Sequence, residues 1–169
     1  MFRTSLAMLA VASLALACDR SATTPMAPED ALTASDAQKA TDGPSVKGSG
    51  KIHFGASVEH VKVNAKGNSG KASFHDKTVS GNVNGQIDVN CLRVGGNEAT
   101  VSGIVRHSNR KSLEGYEALF QIRDNGNGKK KNPDYMSPVL FHAVGTGPDC
   151  RVPSEFDLAP VKGNFTVKP

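Results

Sequence analysis

The stretch 79-VSGNVNGQIDVNCLRVGGNEATVSGIVRH-107 decides the fold class. Apolar and polar residues alternate through its first half, where one parity holds Val79, Val83, Ile87, Val89 and Cys91. Gly81 and Gly85 interrupt that row, which predicts a bulge or a bend. A turn signal follows at 95–97, and the alternation resumes from Ala99 to His107. This pattern predicts an antiparallel hairpin of two β-strands.

The same period of two recurs along most of the remaining chain. Five further alternating segments are bounded by turn residues, at 58–65, 71–76, 116–123, 136–144 and 161–168. The 17 Gly and 9 Pro in 169 residues disfavour a helical bundle. We therefore predict an all-β fold, a single antiparallel sandwich or barrel of seven to eight strands.

Residues 1–17 have the composition of a secretory signal peptide. Arg3 supplies a positive charge, and an uncharged run rich in Ala and Leu extends from Leu6 to Ala17. As a helix, this run would reach only roughly 20 Å, which is short of the ~30 Å hydrocarbon core of a bilayer. The segment is therefore predicted to be a signal peptide rather than a membrane span.

The leader ends in 14-LALAC-18, which resembles the lipobox of bacterial lipoproteins. The resemblance implies that Cys18 becomes the new N-terminus and carries lipid on its sulfur and amine, so that it anchors the protein to a membrane. Residues 15–17 also satisfy the A-x-A rule of ordinary signal peptidase. In that alternative the product is a secreted soluble β domain.

The cysteine count favours lipidation. The chain has three cysteines, Cys18, Cys91 and Cys150. Exported proteins tend to pair their cysteines, and an odd one needs an explanation. Lipidation of Cys18 would leave one pair, and we predict a Cys91–Cys150 disulfide.

The residues after the leader differ in composition from the rest of the chain. Residues 18–50 are rich in Ser, Ala, Thr, Asp, Pro and Gly and have few large apolar side chains. Such a segment cannot bury enough area to offset the entropy of ordering it. We predict a disordered linker over 18–50 and one β domain over 51–169.

A second resemblance covers the predicted β domain. It rests on 87-IDVNCLRVGGNEATVSG-103, on 124-DNGNG-128 with the following Pro133-Asp134, and on 163-GNFTV-167. These segments resemble a family of uncharacterised exported bacterial proteins with a Cys-Leu-x-Val-x-Gly-Asn segment and an Asp-Asn-Gly loop. The resemblance implies export and a β domain, and it implies no activity.

The Asp-Asn-Gly loop is the sharpest polar motif of the chain. Asn-Gly pairs suit the positive φ values of a tight turn, which is the interpretation that we favour. Calcium is the alternative, because oxygen-rich side chains are hard ligands for this ion. Its candidate ligands would be Asp124, Asn125, Asn127 and Asp134. No other cofactor is expected.

The net charge of +4 invites the question of an anionic partner. Two basic clusters, 106–111 and 129–131, lie in expected loops and lack the aromatic residues that stack on bases. We therefore expect no nucleic acid as partner. Anionic lipid or an envelope polymer fits an exported protein better.

Motif analysis finds no signature of an enzyme. A G-x-S-x-G elbow is absent from the sequence, and the histidines have no metal-ligand spacing. His53, His60 and His75 fall on the polar parity of their strands and are expected to be solvated. We predict a lipoprotein of the bacterial cell envelope, facing the periplasm or the exterior. It would be a non-enzymatic binding or structural module at a membrane surface, and a hydrolase of envelope polymers is the alternative.

Overall fold

The computed structural model describes residues 43–126 and 132–169, which form antiparallel β-strands and one 3₁₀ turn at Lys111–Leu113. Within these two ranges, seven strands have seven residues or more, and three are short. The strands are β1 Ser45–Phe54, β2 Ser57–Lys66, β3 Ser69–Thr78, β4 Gly81–Gly95, β5 Glu98–Ser108, β6 Glu117–Arg123, β7 Tyr135–Met136, β8 Leu140–His142, β9 Ala159–Pro160 and β10 Lys162–Lys168.

The strands form one nearly closed antiparallel sheet. Neighbours follow the order β10-β1-β2-β3-β4-β5-β6-β7-β9, and β8 pairs with β6. Because β9 is separated from β10 by Val161 alone, the two ends of the sheet meet and give it a barrel-like shape. The predicted all-β, antiparallel fold is confirmed, and of the two expected architectures the sheet takes the barrel-like one.

Two aspartates complete the seam between β10 and the end of β6. The Phe165 N–H donates to Asp134 Oδ2 at 2.7 Å, and the Val167 N–H donates to Asp124 Oδ2 at 2.9 Å. Asp134 is fully buried, and its Oδ1 accepts the Asn125 N–H at 3.0 Å. Side-chain carboxylates thus satisfy backbone donors where the strand ladder is interrupted.

The interior of the barrel is filled by the inward side chains of all long strands. Large aromatic rings lie against glycines of the neighbouring strand. A Cβ at Gly85 would lie 2.7 Å from the Phe74 ring, and a Cβ at Gly50 would lie 2.8 Å from the Phe165 ring. Glycine leaves room for these rings in a strongly curved sheet. The largest fully buried side chains of this interior are Phe120, Phe165, Ile52, Ile87, Ile122 and Met136.

Two irregularities break the β4–β5 ladder and correct the predicted parity. The register shifts between Gln86 and Ile87 and again between Val89 and Cys91. The second shift adds one residue, so Cys91 pairs with Ser102 and leaves the inward row that the sequence pattern assigns to it. An irregularity lies next to Gly85, but its extra residue is Arg106 on the partner strand β5, and the second shift moves Cys91 to the outer face.

Other expectations change at the ends of elements. β1 begins at Ser45, so the β domain starts before the predicted boundary at 50/51. The sequence pattern assigns Val79 to an apolar row, but this residue lies in the β3–β4 turn and is 91% exposed. The expected strand at 136–144 is divided into β7 and β8. A break at Ser137–Val139 separates these two pieces.

The predicted signal peptide, Cys18 and most of the predicted linker lie outside the described residues, and so does Asn127. Within the ranges that the structure describes, no helix combines the length and the apolar character needed to cross a membrane.

Candidate functional site

One outer face of the barrel is covered by the segment 143–158, which we call the covering segment. The predicted disulfide is confirmed: Cys91 on β4 is bonded to Cys150, with the two Cα atoms 6.3 Å apart. Leu119 of β6 and Phe156 pack beside the bridge and form a second small apolar cluster. The disulfide therefore fastens the covering segment to the outer face of β4 and β6.

Outward side chains under the covering segment are buried although they belong to the polar parity. Thr100 is 2% exposed and Ser102 is 1% exposed. The Cys150 sulfur lies 3.6 Å from the Thr100 carbonyl oxygen. We call the outer surface of β5 and β6 beneath this segment the covered face.

A cleft of about 390 Å³ opens between the covered face and the covering segment. On its wall the Ser102 hydroxyl donates to Glu117 Oε1 at 3.1 Å. His142 does not line the cleft, and its Nε2 lies 3.6 Å from Glu117 Oε2. The carboxylate thus stands between the hydroxyl and the imidazole, whereas nucleophilic catalysis needs the base in contact with the hydroxyl. The hydrolase alternative gains no support from this geometry and stays a prediction.

The Asp-Asn-Gly loop brings together three of its four candidate ligands. Asp124 Oδ1 accepts the Gly126 N–H at 2.7 Å, and Gly126 has a φ of +82°. Both carboxylates, Asp124 and Asp134, also accept backbone N–H groups of β10. These contacts are those of a tight Asx turn tied to the seam.

Calcium at this loop stays a prediction. Asn127, the fourth candidate ligand, lies outside the described residues. Among the residues that are described, no three His, Cys, Asp or Glu side chains stand close enough together to hold a metal ion.

A second outer face of the barrel carries many positive charges. We define the lysine face as the outward side of the adjacent strands β10, β1, β2 and β3. All its lysines are exposed. They are Lys162 and Lys168 on β10, Lys47 and Lys51 on β1, Lys62 and Lys66 on β2, and Lys71 and Lys77 on β3.

The carboxylates of these four described strands are excluded from the lysine face. Their sequences contain only Glu59 and Asp76, and both lie on the inward parity with Val61 and Phe74. Strand alternation therefore sorts the charges, with cations outside and anions inside. The outer surface of four neighbouring strands is left with positive charge and neutral polar groups.

The register places basic residues directly opposite each other. Lys51 faces Lys162 on one side and His60 on the other, and His60 faces His75. The three histidines predicted to be solvated strand residues, His53, His60 and His75, are exposed as expected. Like charges directly opposite in a sheet are destabilising, so the pairing of Lys51 with Lys162 has an electrostatic cost for the free protein.

Asp88 on β4 marks the border of the lysine face. Its carboxylate accepts hydrogen bonds from Lys71 Nζ and Arg106 Nε. These bonds, above all the one from Lys71, hold the pKa of Asp88 below its usual value. Lys71 is thus neutralised at the border, while Lys47, Lys51 and Lys62 have no ion pair with any described residue.

The inward side of β2 holds a buried acid. Glu59 is opposite Asp76 on β3, and both of its oxygens accept the Val139 N–H at 3.2 Å. Burial raises the pKa of Glu59 to about 7, the Val139 hydrogen bond lowers it, and the charge of Asp76 adds to the increase. This carboxyl lies inside the barrel and takes no part in the lysine face.

Sequence reasoning missed the lysine face because its lysines are scattered along the chain. The contiguous clusters 106–111 and 129–131 stand out in the sequence, whereas the face is assembled by register from isolated lysines four to six residues apart within each strand. The available signal was parity, since the lysines of each early strand share the polar side.

No protein-family model, no curated protein and no solved structure matches this chain.

Proposed function

We propose that this chain is a lipid-anchored module of the bacterial envelope that binds an anionic surface or polymer through the lysine face without transforming it. The observation that carries the proposal is the segregation of charge on four adjacent strands. Eight outward lysines stand on these four described strands, which carry no outward carboxylate of their own, and one of the eight, Lys71, pairs with Asp88 of the next strand. Clustered charge of one sign attracts a partner of the other sign and raises its rate of association.

The energetics of the free protein support the same proposal. Cross-strand pairs such as Lys51 with Lys162 repel each other, and an anionic partner would remove that repulsion. The inner side of the same strands is occupied by packed side chains such as Val61 and Val63. The outer side is thus the part of these strands that is left for recognition.

The anchor is proposed from the sequence. The stretch 14-LALAC-18 and the odd cysteine support lipidation, since Cys91 and Cys150 are bonded to each other. Intact-mass analysis of membrane-extracted protein should then show a diacylglyceryl group on Cys18, and Cys18→Ala should abolish it. An unmodified, soluble mature protein would support the secreted alternative instead.

Binding is tested with heparin as a soluble polyanion and with the mature chain carrying Cys18→Ala. We expect Lys51→Gln with Lys62→Gln to weaken binding about tenfold, because each removes a cation from the contact. The matched control is Arg93→Gln with Arg151→Gln, which changes the net charge equally but lies outside the lysine face. Equal weakening by both double variants would show attraction by net charge alone and would overturn the proposal.

A further inference from the structure

A second cleft lies between the sheet and the later part of the covering segment, and we call it the Phe156 cleft. Its volume is about 570 Å³, which is in the range of small-molecule sites. Glu98 on β5 and Gln121 and Arg123 on β6 form one wall, and residues 154–157 form the other. The cleft shares no residue with the lysine face.

The wall formed by the sheet is fixed by hydrogen bonds. Glu98 accepts the Arg123 Nε–H at 2.6 Å with one oxygen and the Gln121 Nε2–H at 3.1 Å with the other. Because the nitrogen of the Gln121 amide faces Glu98, the amide oxygen is the atom left for another partner. Gln121 is only 6% exposed, and no described residue donates to this oxygen. A nearly buried side chain at the wall of the cleft thus keeps an acceptor without a donor.

The covering segment adds negative charge to the Phe156 cleft. Glu155 and Asp157 line it, are exposed, and make no ion pair with any described residue. Three carboxylates thus line the cleft together with one guanidinium, that of Arg123, whose charge is balanced by Glu98. The described lining therefore has an excess of negative charge and an excess of hydrogen-bond acceptors.

An aromatic side chain completes the lining. Phe156 is half-buried, because it packs beside Leu119 and the Cys91–Cys150 disulfide. An aromatic ring next to carboxylates favours an organic cation, since the face of the ring attracts positive charge. A metal ion fits this lining less well. Among the described residues, no three His, Cys, Asp or Glu side chains stand close enough together to hold one.

We propose that the Phe156 cleft binds a small organic diamine or polyamine, with its ammonium groups at Glu155, Asp157 and the Gln121 amide oxygen and its carbon chain beside Phe156. An ammonium group has three donors and no acceptor, so it matches a lining in which acceptors prevail. An alcohol or a neutral sugar would bring further acceptors and no charge. This inference goes beyond the proposed function, because it concerns a separate site on another face of the barrel.

The probe for this site is cadaverine, a diamine. Its matched control is pentanediol, which has the same carbon chain with hydroxyls in place of the ammonium groups. Binding to the mature chain carrying Cys18→Ala is followed by NMR through the side-chain amide signal of Gln121, which is assigned by its loss in Gln121→Met. This signal reports on the Phe156 cleft itself, because Gln121 lines it.

Two double variants separate the site from net charge. Glu155→Gln with Asp157→Asn should weaken cadaverine binding about tenfold, because it removes both unpaired carboxylates from the cleft. The matched control is Asp88→Asn with Glu114→Gln, which changes the net charge equally but lies outside the cleft. Circular dichroism confirms that each variant is folded. Heparin binding should be unchanged in the first double variant, since the lysine face keeps all its lysines.

The expected result is a saturable shift of the Gln121 amide signal with cadaverine, no shift with pentanediol, and lower affinity in the first double variant only. An equal response to pentanediol, or equal weakening by both double variants, would overturn the assignment of an ammonium ligand to this cleft. Saturation of the same signal by millimolar calcium would overturn the organic cation in favour of a metal. Absence of any shift with millimolar cadaverine would overturn the site and leave the proposed function of the lysine face standing.

Discussion

The covered face and the lysine face belong to the same sheet, yet they differ in what lies over them. On the covered face, outward residues such as Thr100 and Ser102 are buried under a segment that the Cys91–Cys150 bridge holds in place. On the lysine face, every outward lysine reaches solvent. Among the described residues, one side of the barrel is covered by the segment 143–158, whereas the outward lysines of the other side are exposed.

The largest expected effect comes from removing the disulfide that holds the covering segment in place. Cys91→Ser with Cys150→Ser opens a loop with a sequence separation of 59 residues. The chain-entropy model puts the loss of unfolding free energy at about 4 kcal/mol. Chemical denaturation measures it, and Cys18→Ser serves as the matched control because it replaces the one cysteine that takes no part in the bridge.

The heparin affinity of the same double variant sharpens the comparison. The folded variant should retain its affinity, because the lysine face makes no use of the bridge. A parallel loss of heparin binding in the folded variant would contradict the separation of the two faces.

A second prediction concerns the seam that holds β10, the outermost strand of the lysine face. Asp134→Ala leaves the buried Phe165 N–H and the Asn125 N–H without their acceptor. We expect a loss of about 3 kcal/mol in unfolding free energy, because unsatisfied buried donors carry their full desolvation cost. Asp134→Asn keeps one acceptor oxygen and should lose less.

Thermal melts of Asp134→Ala and Asp134→Asn measure the two losses of stability. The same melts with added calcium test the calcium alternative. A change below about 0.5 kcal/mol in Asp134→Ala would contradict the role of the carboxylate at the seam. A rise in melting temperature with millimolar calcium, lost in Asp124→Ala, would favour a metal site at the loop over a simple turn.

Glu59, which is buried on the inner side of β2, should make the free energy of unfolding depend on pH. The folded-state pKa of Glu59 is raised from 4.5 to about 7, so the folded protein binds this proton more tightly than the unfolded chain does. The free energy of unfolding should therefore fall as pH rises from about 4.5 to about 7, and level off above that.

Glu59→Gln should remove this slope. At pH 8 the variant should be more stable than the wild type by on the order of 2 kcal/mol, and near pH 4 the difference should vanish. Denaturation curves across this range measure the effect. A wild-type curve that rises with pH between 4.5 and 7, while the variant stays flat, would contradict the assignment to Glu59.

The smallest expected effect lies on the lysine face itself. Lys51→Glu replaces repulsion by attraction opposite Lys162, and should raise stability by about 0.5 kcal/mol. Lys111→Glu is the control with the opposite sign, since Lys111 already pairs with Glu114 at 2.9 Å. Destabilisation by Lys51→Glu would show that Lys51 stabilises the fold through a partner of its own, and would contradict the repulsion proposed between Lys51 and Lys162.

The fold class could be predicted from sequence because alternation is a local property of each strand. The parity of Cys91 could not, since the register shift before it inverts every later side chain. The prediction misses the first half of β1 because Gly48 and Gly50 leave Val46 as the only apolar side chain there. The glycines are explained by Phe165 of the remote strand β10, which packs over them.

The functional surface was harder to predict than the fold. Each lysine of the lysine face is an ordinary polar residue of its strand, and only the pairing of β10 with β1 and of β1 with β2 assembles them. The burial of Asp134 likewise depends on a donor from a strand about 30 residues later. The disulfide could be predicted from the count of cysteines together with the expectation of export.

The most direct test of the proposed contact is lysine footprinting with an amine-reactive acetylating ester, read by mass spectrometry with and without heparin. We predict that Lys47, Lys51 and Lys62 lose reactivity when the protein is bound, while Lys111, on the loop before β6, keeps it. Equal protection of Lys111 and the lysine face, or full reactivity of Lys51 and Lys62 in the bound protein, would contradict docking through the lysine face.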